Sequence, residues 1–299
     1  MDISKIIPSF VDGTKTDAMQ YYGLLGDYIG GFWGTLIGAF TLIAVFLTWR
    51  ATRHTEYRSK TYQVFAEMLR THEEIVSSMQ VNGFKGRDAL VLVLSEFYAI
   101  YRITKEISIN GAEWDINSRI DIAYTYTFFG PHVVTTKALK HYNQEEIKKV
   151  NDAIIEAKRS NKDSKKTYSG HQNRLSHYFR NLYSAYVFIE SSRLRKNEKL
   201  SLAKILRSKL SNYEQAITAL NVISNLGQEW ERSKILLKYK PIKNIPEMFF
   251  TFDEDFTLTN RFPYINFEWE SSIKTTLKSH SFRLGGSRLV YIRETPRKT

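Results

Sequence analysis

The sequence predicts a mainly α-helical protein: a single N-terminal transmembrane helix, then an α-helical cytoplasmic domain with a long antiparallel helical hairpin. Three observations lead there. The stretch Tyr28 to Trp49, YIGGFWGTLIGAFTLIAVFLTW, carries no charge between Asp27 and Arg50. Downstream, apolar residues recur at spacings of three and four, the helical period. Strand-like patterning is confined to one short run, Arg288 to Arg293.

At about 1.5 Å rise per residue, the apolar stretch forms a helix of roughly 33 Å, which matches the roughly 30 Å hydrocarbon core of a bilayer. The residues before it, Asp2, Lys5, Asp12, Lys15, Asp17 and Asp27, sum to −2. A cleaved signal peptide needs a basic start and a shorter apolar core, so a retained anchor is expected. Arg50, Arg53, Arg58 and Lys60 follow the span with Glu56 as the one acid among them. The positive-inside rule then places the tail outside and the body in the cytoplasm of a single-pass inner-membrane protein. Of the chain's net +12, the body from Arg50 onward carries +14. Within the span, Gly30, Gly34 and Gly38 lie along one ridge, the small-residue spacing that lets membrane helices approach closely, so a homo-oligomer is expected.

The expected organisation is an acidic extracytoplasmic tail (1–27), the transmembrane helix (28–49), a juxtamembrane helix (50–82), a helical cytoplasmic domain (83–246) and an aromatic and basic C-terminal region (247–299). In the juxtamembrane helix, Tyr62, Phe65, Leu69, His72, Val76 and Met79 form a heptad-like stripe, expected to pack on the chain's own body. Asn82, Gly83 and Gly86 mark a turn. Helices follow over about Arg87–Ser108, rich in apolar residues on most sides, Ile116–Phe128 and Gln144–Ser160, the last acidic early and basic late. Residues Asn161–Gly170 read as a loop. Two long helices, His171–Arg195 and Glu198–Leu226, joined by a short connection, predict the antiparallel hairpin. Beyond Lys240 the chain is irregular, with a helix near Glu268–His280.

Composition narrows the chemistry. Hydrophobic residues make up 42% and aromatics 14% of 299 residues, enough for a packed core. With no cysteine, thiol nucleophiles, disulfides and cysteine-based zinc sites are excluded. The seven histidines show no paired metal spacing, and no P-loop, dinucleotide fingerprint or Ser-His-Asp signature occurs. No metal or cofactor is therefore expected, and no small-molecule substrate is identified.

The hairpin sequences GHQNRLSHYFRNLYSAYVFIE and KILRSKLSNYEQAITALNVISNLG carry a resemblance. With FAEMLRTHEEIVSSM and KGRDAL upstream, and a KY before a proline-rich tail, they resemble the bacterial phage abortive infection family (AbiC-like proteins), over about Gly23–Pro246. The resemblance implies a membrane-anchored anti-phage defence factor that stops the infected cell; it supplies no reaction.

The residues themselves offer candidate sites. His177, Arg180, Asn181 and Ser184 share one face of the first hairpin helix, and Arg207, Ser211, Glu214, Thr218 and Asn221 form a polar stripe on the second. Facing stripes would make either a structural network or a site in which His177, Arg180, Asn181 and Glu214 are the catalytic candidates; a solvated face is the plain alternative. The Arg-Asn pair resembles the start of the HEPN ribonuclease motif, in which His moves protons and Arg stabilises phosphate charge. Here the window after it holds Ser184, Ala185, Tyr186 and Val187, and His177 precedes the arginine. Enzymatic activity stays open. From Lys158 to Lys209 the chain carries 14 Lys and Arg against three acids, with Lys158, Arg159, Lys162, Lys165, Lys166 and Arg174 as candidates for binding an anionic partner. Inner-membrane lipid, nucleic acid or a phage component would fit such charge. The basic stretch Lys274–Lys298 repeats it. A non-enzymatic membrane scaffold is the third reading.

Overall fold

The computed structural model describes residues 15–160 and 166–270 and is mainly helical. Its contacts divide the chain into two units, Met1–Gln63 and Val64–Thr299. The first helix, α1 (Lys15–Ser78), enters both.

Within the first unit, α1 is long and apolar enough to cross a membrane, and no part of its apolar window is buried. Phe32, Trp33, Leu36, Phe40, Leu42 and Phe46 are all exposed there. Its hydroxyls are satisfied internally: Thr35, Thr41 and Thr48 donate to the carbonyls of Gly31, Ile37 and Ala44 at 2.6–2.8 Å. In hydrocarbon, where water cannot serve, such back-bonding removes the cost of an unpaired hydroxyl. At the end of the apolar stretch the Arg53 guanidinium sits 4.9 Å from the Trp49 ring centre. Nothing lies within 4 Å of where a Cβ would stand on Gly30, Gly34 or Gly38.

The second unit begins with the end of α1, whose Phe65, Val76 and Met79 enter the core as the heptad-like stripe predicts. Asn82 and Gly83, both with positive φ (46° and 83°), turn a two-residue hairpin between β1 (Gln80–Val81) and β2 (Phe84–Lys85). Two positive φ values in a two-residue loop match the strand twist, and Asn-Gly supplies them at least cost. Helix α2 (Arg87–Ile107) follows, buried on most sides, with Leu90, Phe97, Ile100 and Tyr101 fully enclosed. A kinked turn, Ser108–Ala112, closed by the Glu113 N–H donating to the Ser108 carbonyl at 2.9 Å, leads to α3 (Ile116–Phe129), whose Asp115 accepts from Ser118 N–H at 2.7 Å as its N-cap. Helices α4 (Val133–Ala138) and α5 (Gln144–Ser160) complete this half.

Two glycines position what comes next. Gly130 closes α3 at φ 76° and lies against Ser169–Gly170; a Cβ on Gly170 would stand 2.3 Å from the Phe129 carbonyl carbon. This crossing brings His171 N–H to the Phe128 carbonyl at 2.8 Å and starts α6 (Gln172–Ser191) beside α3.

The expected single helix over Glu198–Leu226 is two helices, a correction. Helix α7 (Lys196–Lys209) packs on α6, and α8 (Asn212–Ile223) packs on α2 and α3. Ser211 breaks the run: its side chain accepts from Glu214 N–H, and the Glu214 carboxylate accepts from Ser211 N–H at 2.8 Å. That reciprocal capping box starts a new helix. Every residue of α8 from Glu214 to Ile223 is buried.

Short helices α9 (Glu229–Arg232), α10 (Ile235–Tyr239) and α11 (Leu258–Arg261) end the described chain. Phe250, Phe256, Phe262 and Phe267 join the same core as α2 and α8. Asp253 ties the segment down, accepting from Tyr101 Oη and lying 3.3 Å from Lys105 and 3.4 Å from Arg119. Residues 268–270 are helical, and the remainder of the expected Glu268–His280 helix lies outside the described residues. So do the strand-like run Arg288–Arg293, the basic stretch Lys274–Lys298, loop residues 161–165 and residues 1–14 of the acidic tail.

Candidate functional site

The polar centre of the second unit is Glu214, on the first turn of α8. Its carboxylate is 1% exposed, yet both oxygens are occupied. Oε1 lies 3.0 Å from His72 Nε2 on α1; Oε2 accepts from Ser211 N–H at 2.8 Å and from Arg87 Nε at 3.4 Å. Burial alone would push this carboxyl up, but the His72 and Ser211 hydrogen bonds outweigh it and hold Glu214 below the usual carboxylate range. An ionised Glu214 accepts only, so His72 Nε2 is the donor. His72 Nδ1 is buried without a partner, and the ring packs 5.2 Å from that of Tyr178 on α6. Arg87, at the start of α2, also donates to the Lys209 carbonyl at 3.1 Å and so closes the end of α7. Lys209 pairs with Glu73 of α1 at 2.9 Å.

Beside this cluster a pocket of about 430 Å³ opens, lined by His72, Glu73, Val76, Lys85, Arg87 and Glu214 among others. A second buried pair stands further along α2. Glu96 lies 3.4 Å from His171 Nε2, and its other oxygen accepts from Thr167 N–H at 3.0 Å. Burial raises this carboxyl too; His171 and the Thr167 and Tyr168 amides outweigh it, and the net shift is downward. Two histidine–carboxylate pairs thus join α2, the entrance of α6, α8 and the end of α1. Among the described residues no group of three or more His, Asp or Glu is placed to hold a metal ion.

The sequence-predicted residues divide between surface and interior. On α6, His177, Arg180 and Ser184 are exposed on one face; Asn181 is half-buried, its Oδ1 enclosed without a partner. On the second segment, Glu214, Thr218 and Asn221 are buried. Thr218 donates to the Glu214 carbonyl at 2.7 Å, and Asn221 accepts through its carbonyl from Ser224 Oγ at 2.8 Å. Arg207 points elsewhere, donating to the carbonyls of Tyr239 and Lys240 at the end of α10. Glu214 is thus bound to His72 and Arg87, which the sequence pattern does not place in a site. A signal is present all the same: His72 occupies a core position of an apolar stripe, where a histidine needs a buried partner.

Of the basic candidates, Lys158 reaches Ser169 Oγ at 2.9 Å and Arg174 donates to the Gln80 carbonyl at 2.6 Å. Arg159 is exposed and Lys166 half-buried, while Lys162 and Lys165 lie outside the described residues.

Residues 170–250, from the loop before α6 to Phe250, match the family model described as "Putative phage abortive infection protein". This segment is similar to that family. The match holds Tyr178, Arg180, Arg207, Ser211 and Glu214, whereas His72, Arg87 and Glu96 stand before it. No curated protein and no solved structure matches the chain.

Proposed function

We propose that this chain is a membrane-anchored effector or sensor of bacterial anti-phage defence, acting through its basic α-helical body as a homo-oligomer. The AbiC-like match over residues 170–250 carries the defence role. The exposed apolar stretch of α1 supports the anchor, with the basic residues after Trp49 favouring a single pass, tail outside and body in the cytoplasm. The glycine ridge supports assembly, and inner-membrane lipid is the anionic partner that such an anchor brings closest. The buried His72–Glu214 and His171–Glu96 pairs serve the architecture: both carboxylates are nearly inaccessible, and each is held by a histidine from another element and by a backbone amide.

A membrane-tethered ribonuclease is a second reading, favoured by the exposure of His177 and Arg180 on one face of α6, where a phosphate backbone could reach both. One phage challenge separates the two. Cells expressing the wild type, Arg180→Ala, or a chain whose 28–49 stretch is replaced by an unrelated monomeric span are infected, with plaque counts, membrane potential and total RNA followed together. Under the first reading Arg180→Ala still protects, and the span replacement abolishes protection with RNA intact. Loss of protection together with loss of RNA cleavage in Arg180→Ala would move the assignment to the ribonuclease. A wild type that gives no protection overturns the defence reading.

A further inference from the structure

A second surface, away from the His72–Glu214 pocket, lies where α7 and α10 meet. It is a groove of about 590 Å³ lined by Leu194, Lys196, Lys199, Leu200, Leu237 and Lys238, with Glu190 and Tyr239 at its side. Leu200 is 42% exposed and Leu237 50% exposed, on helices whose Leu202, Leu206, Ile235 and Leu236 are buried. Each is bracketed by cations: Leu200 by Lys196, Lys199 and Lys204, and Leu237 by Lys234, Lys238 and Lys240. The groove's one acid is neutralised from within, since Glu190 accepts from Lys238 Nζ and, at 2.6 Å, from Tyr239 Oη. With Lys238 and Glu190 paired to each other, what faces outward is the charge of the remaining lysines, Lys196 and Lys199 among them, around exposed leucines.

We infer that this α7–α10 face is a second membrane contact, on which anionic phospholipid headgroups meet the lysines while Leu200 and Leu237 enter the headgroup–acyl boundary. Charge complementarity selects the occupant. Interfacial segments combine leucines with flanking Lys that attract anionic lipid and extend toward the headgroups. A protein partner's hot spot would instead want a contiguous apolar centre with charges pushed to the rim, whereas here cations interrupt the leucines. The inference rests on the membrane-anchor reading, under which anionic headgroups are already at high local concentration. It differs from the lysines of residues 158–174 in joining charge to exposed apolar side chains.

The native chain has no cysteine, so a single Leu237→Cys substitution carries one environment-sensitive fluorophore. The full chain is reconstituted into phosphatidylcholine vesicles with or without phosphatidylglycerol, and a label on Glu106→Cys, an exposed position on α2, is the reference. The expected result is a blue-shifted emission from the α10 label, quenched by spin-labelled lipid, in phosphatidylglycerol vesicles only. It should be lost in Lys196→Glu/Lys204→Glu and fade at about 1 M salt, where the screening length falls to about 3 Å; the α2 reference signal should not move. An unshifted α10 label in a chain that resists alkaline extraction overturns this contact and leaves the anchor standing. A chain that washes out overturns the anchor, and this inference with it. A blue shift that also occurs in detergent and grows with protein concentration overturns the lipid contact in favour of a second copy.

Discussion

Glu214 accepts from three donors on three different segments, the end of α1, the start of α2 and its own N-cap, so its charge is worth more to the fold than one hydrogen bond. Because its folded pKa is depressed, the sign of the linkage is fixed. The stabilisation is fully present above the unfolded value of about 4.3 and is lost as pH falls through the lower folded value. Glu214→Gln should therefore cost about 3 kcal/mol at pH 7, the scale of a buried pair stripped of one partner, and should flatten the acid-side loss of stability. Urea unfolding of the full chain in mild detergent at pH 7 and across the acid range checks both. A variant with wild-type stability, or with the wild-type acid slope, would contradict the role given to the carboxylate. Sequence alone shows Glu214 as one member of a polar stripe and His72 as one member of an apolar one. Their meeting spans 142 positions, a separation that local periodicity does not encode. By contrast, the exposure of His177, Arg180 and Ser184 is local, and the solvated-face alternative already describes it.

At the level of elements, α2 and α3 fall within one residue of the boundaries the sequence predicts, and α5 starts where it predicts, because apolar periodicity marks each of them. The boundary that the pattern hides is Leu210–Ser211. Spacings of three and four continue across it, and only the Ser-x-x-Glu pattern of Ser211 and Glu214 marks a new N-terminus. Gly227 shows a similar displacement: it resembles the stop of a helix that in fact ends at Ile223, and its true constraint is proximity. A Cβ there would stand 2.1 Å from the Asn221 carbonyl oxygen, a backbone atom that cannot swing away. Gly227→Ala should then cost about 3 kcal/mol through overpacking. Gly83→Ala, where nothing lies within 4 Å and only the φ of 83° resists a side chain, should cost about 1 kcal/mol. Denaturation midpoints of the two variants, measured side by side, test the difference. Equal losses would mean that contact with Asn221 is not what requires the glycine.

At the scale of the whole molecule, the apolar stretch of α1 is the most legible feature, because an uncharged run of that length is enough to read a helix long and apolar enough to cross a bilayer. Its assembly is legible only as a spacing, since the partner of a glycine ridge is another molecule. The structure adds one physical point: in a single chain the ridge of Gly30, Gly34 and Gly38 meets nothing within 4 Å. If the ridge is an interface, close backbone approach is its source of affinity, as lipid offers no hydrophobic drive between helices. Gly34→Ile would hold two such helices apart while keeping the span as apolar as before, so insertion should be unchanged. Crosslinking in membranes should therefore lose its dimeric and higher species, and plaque protection should fall with them while the protein accumulates at its normal level. Persistence of the crosslinked species would exclude the ridge as the contact. Their loss with protection intact would separate assembly from defence, and leave the anchored body as the acting unit.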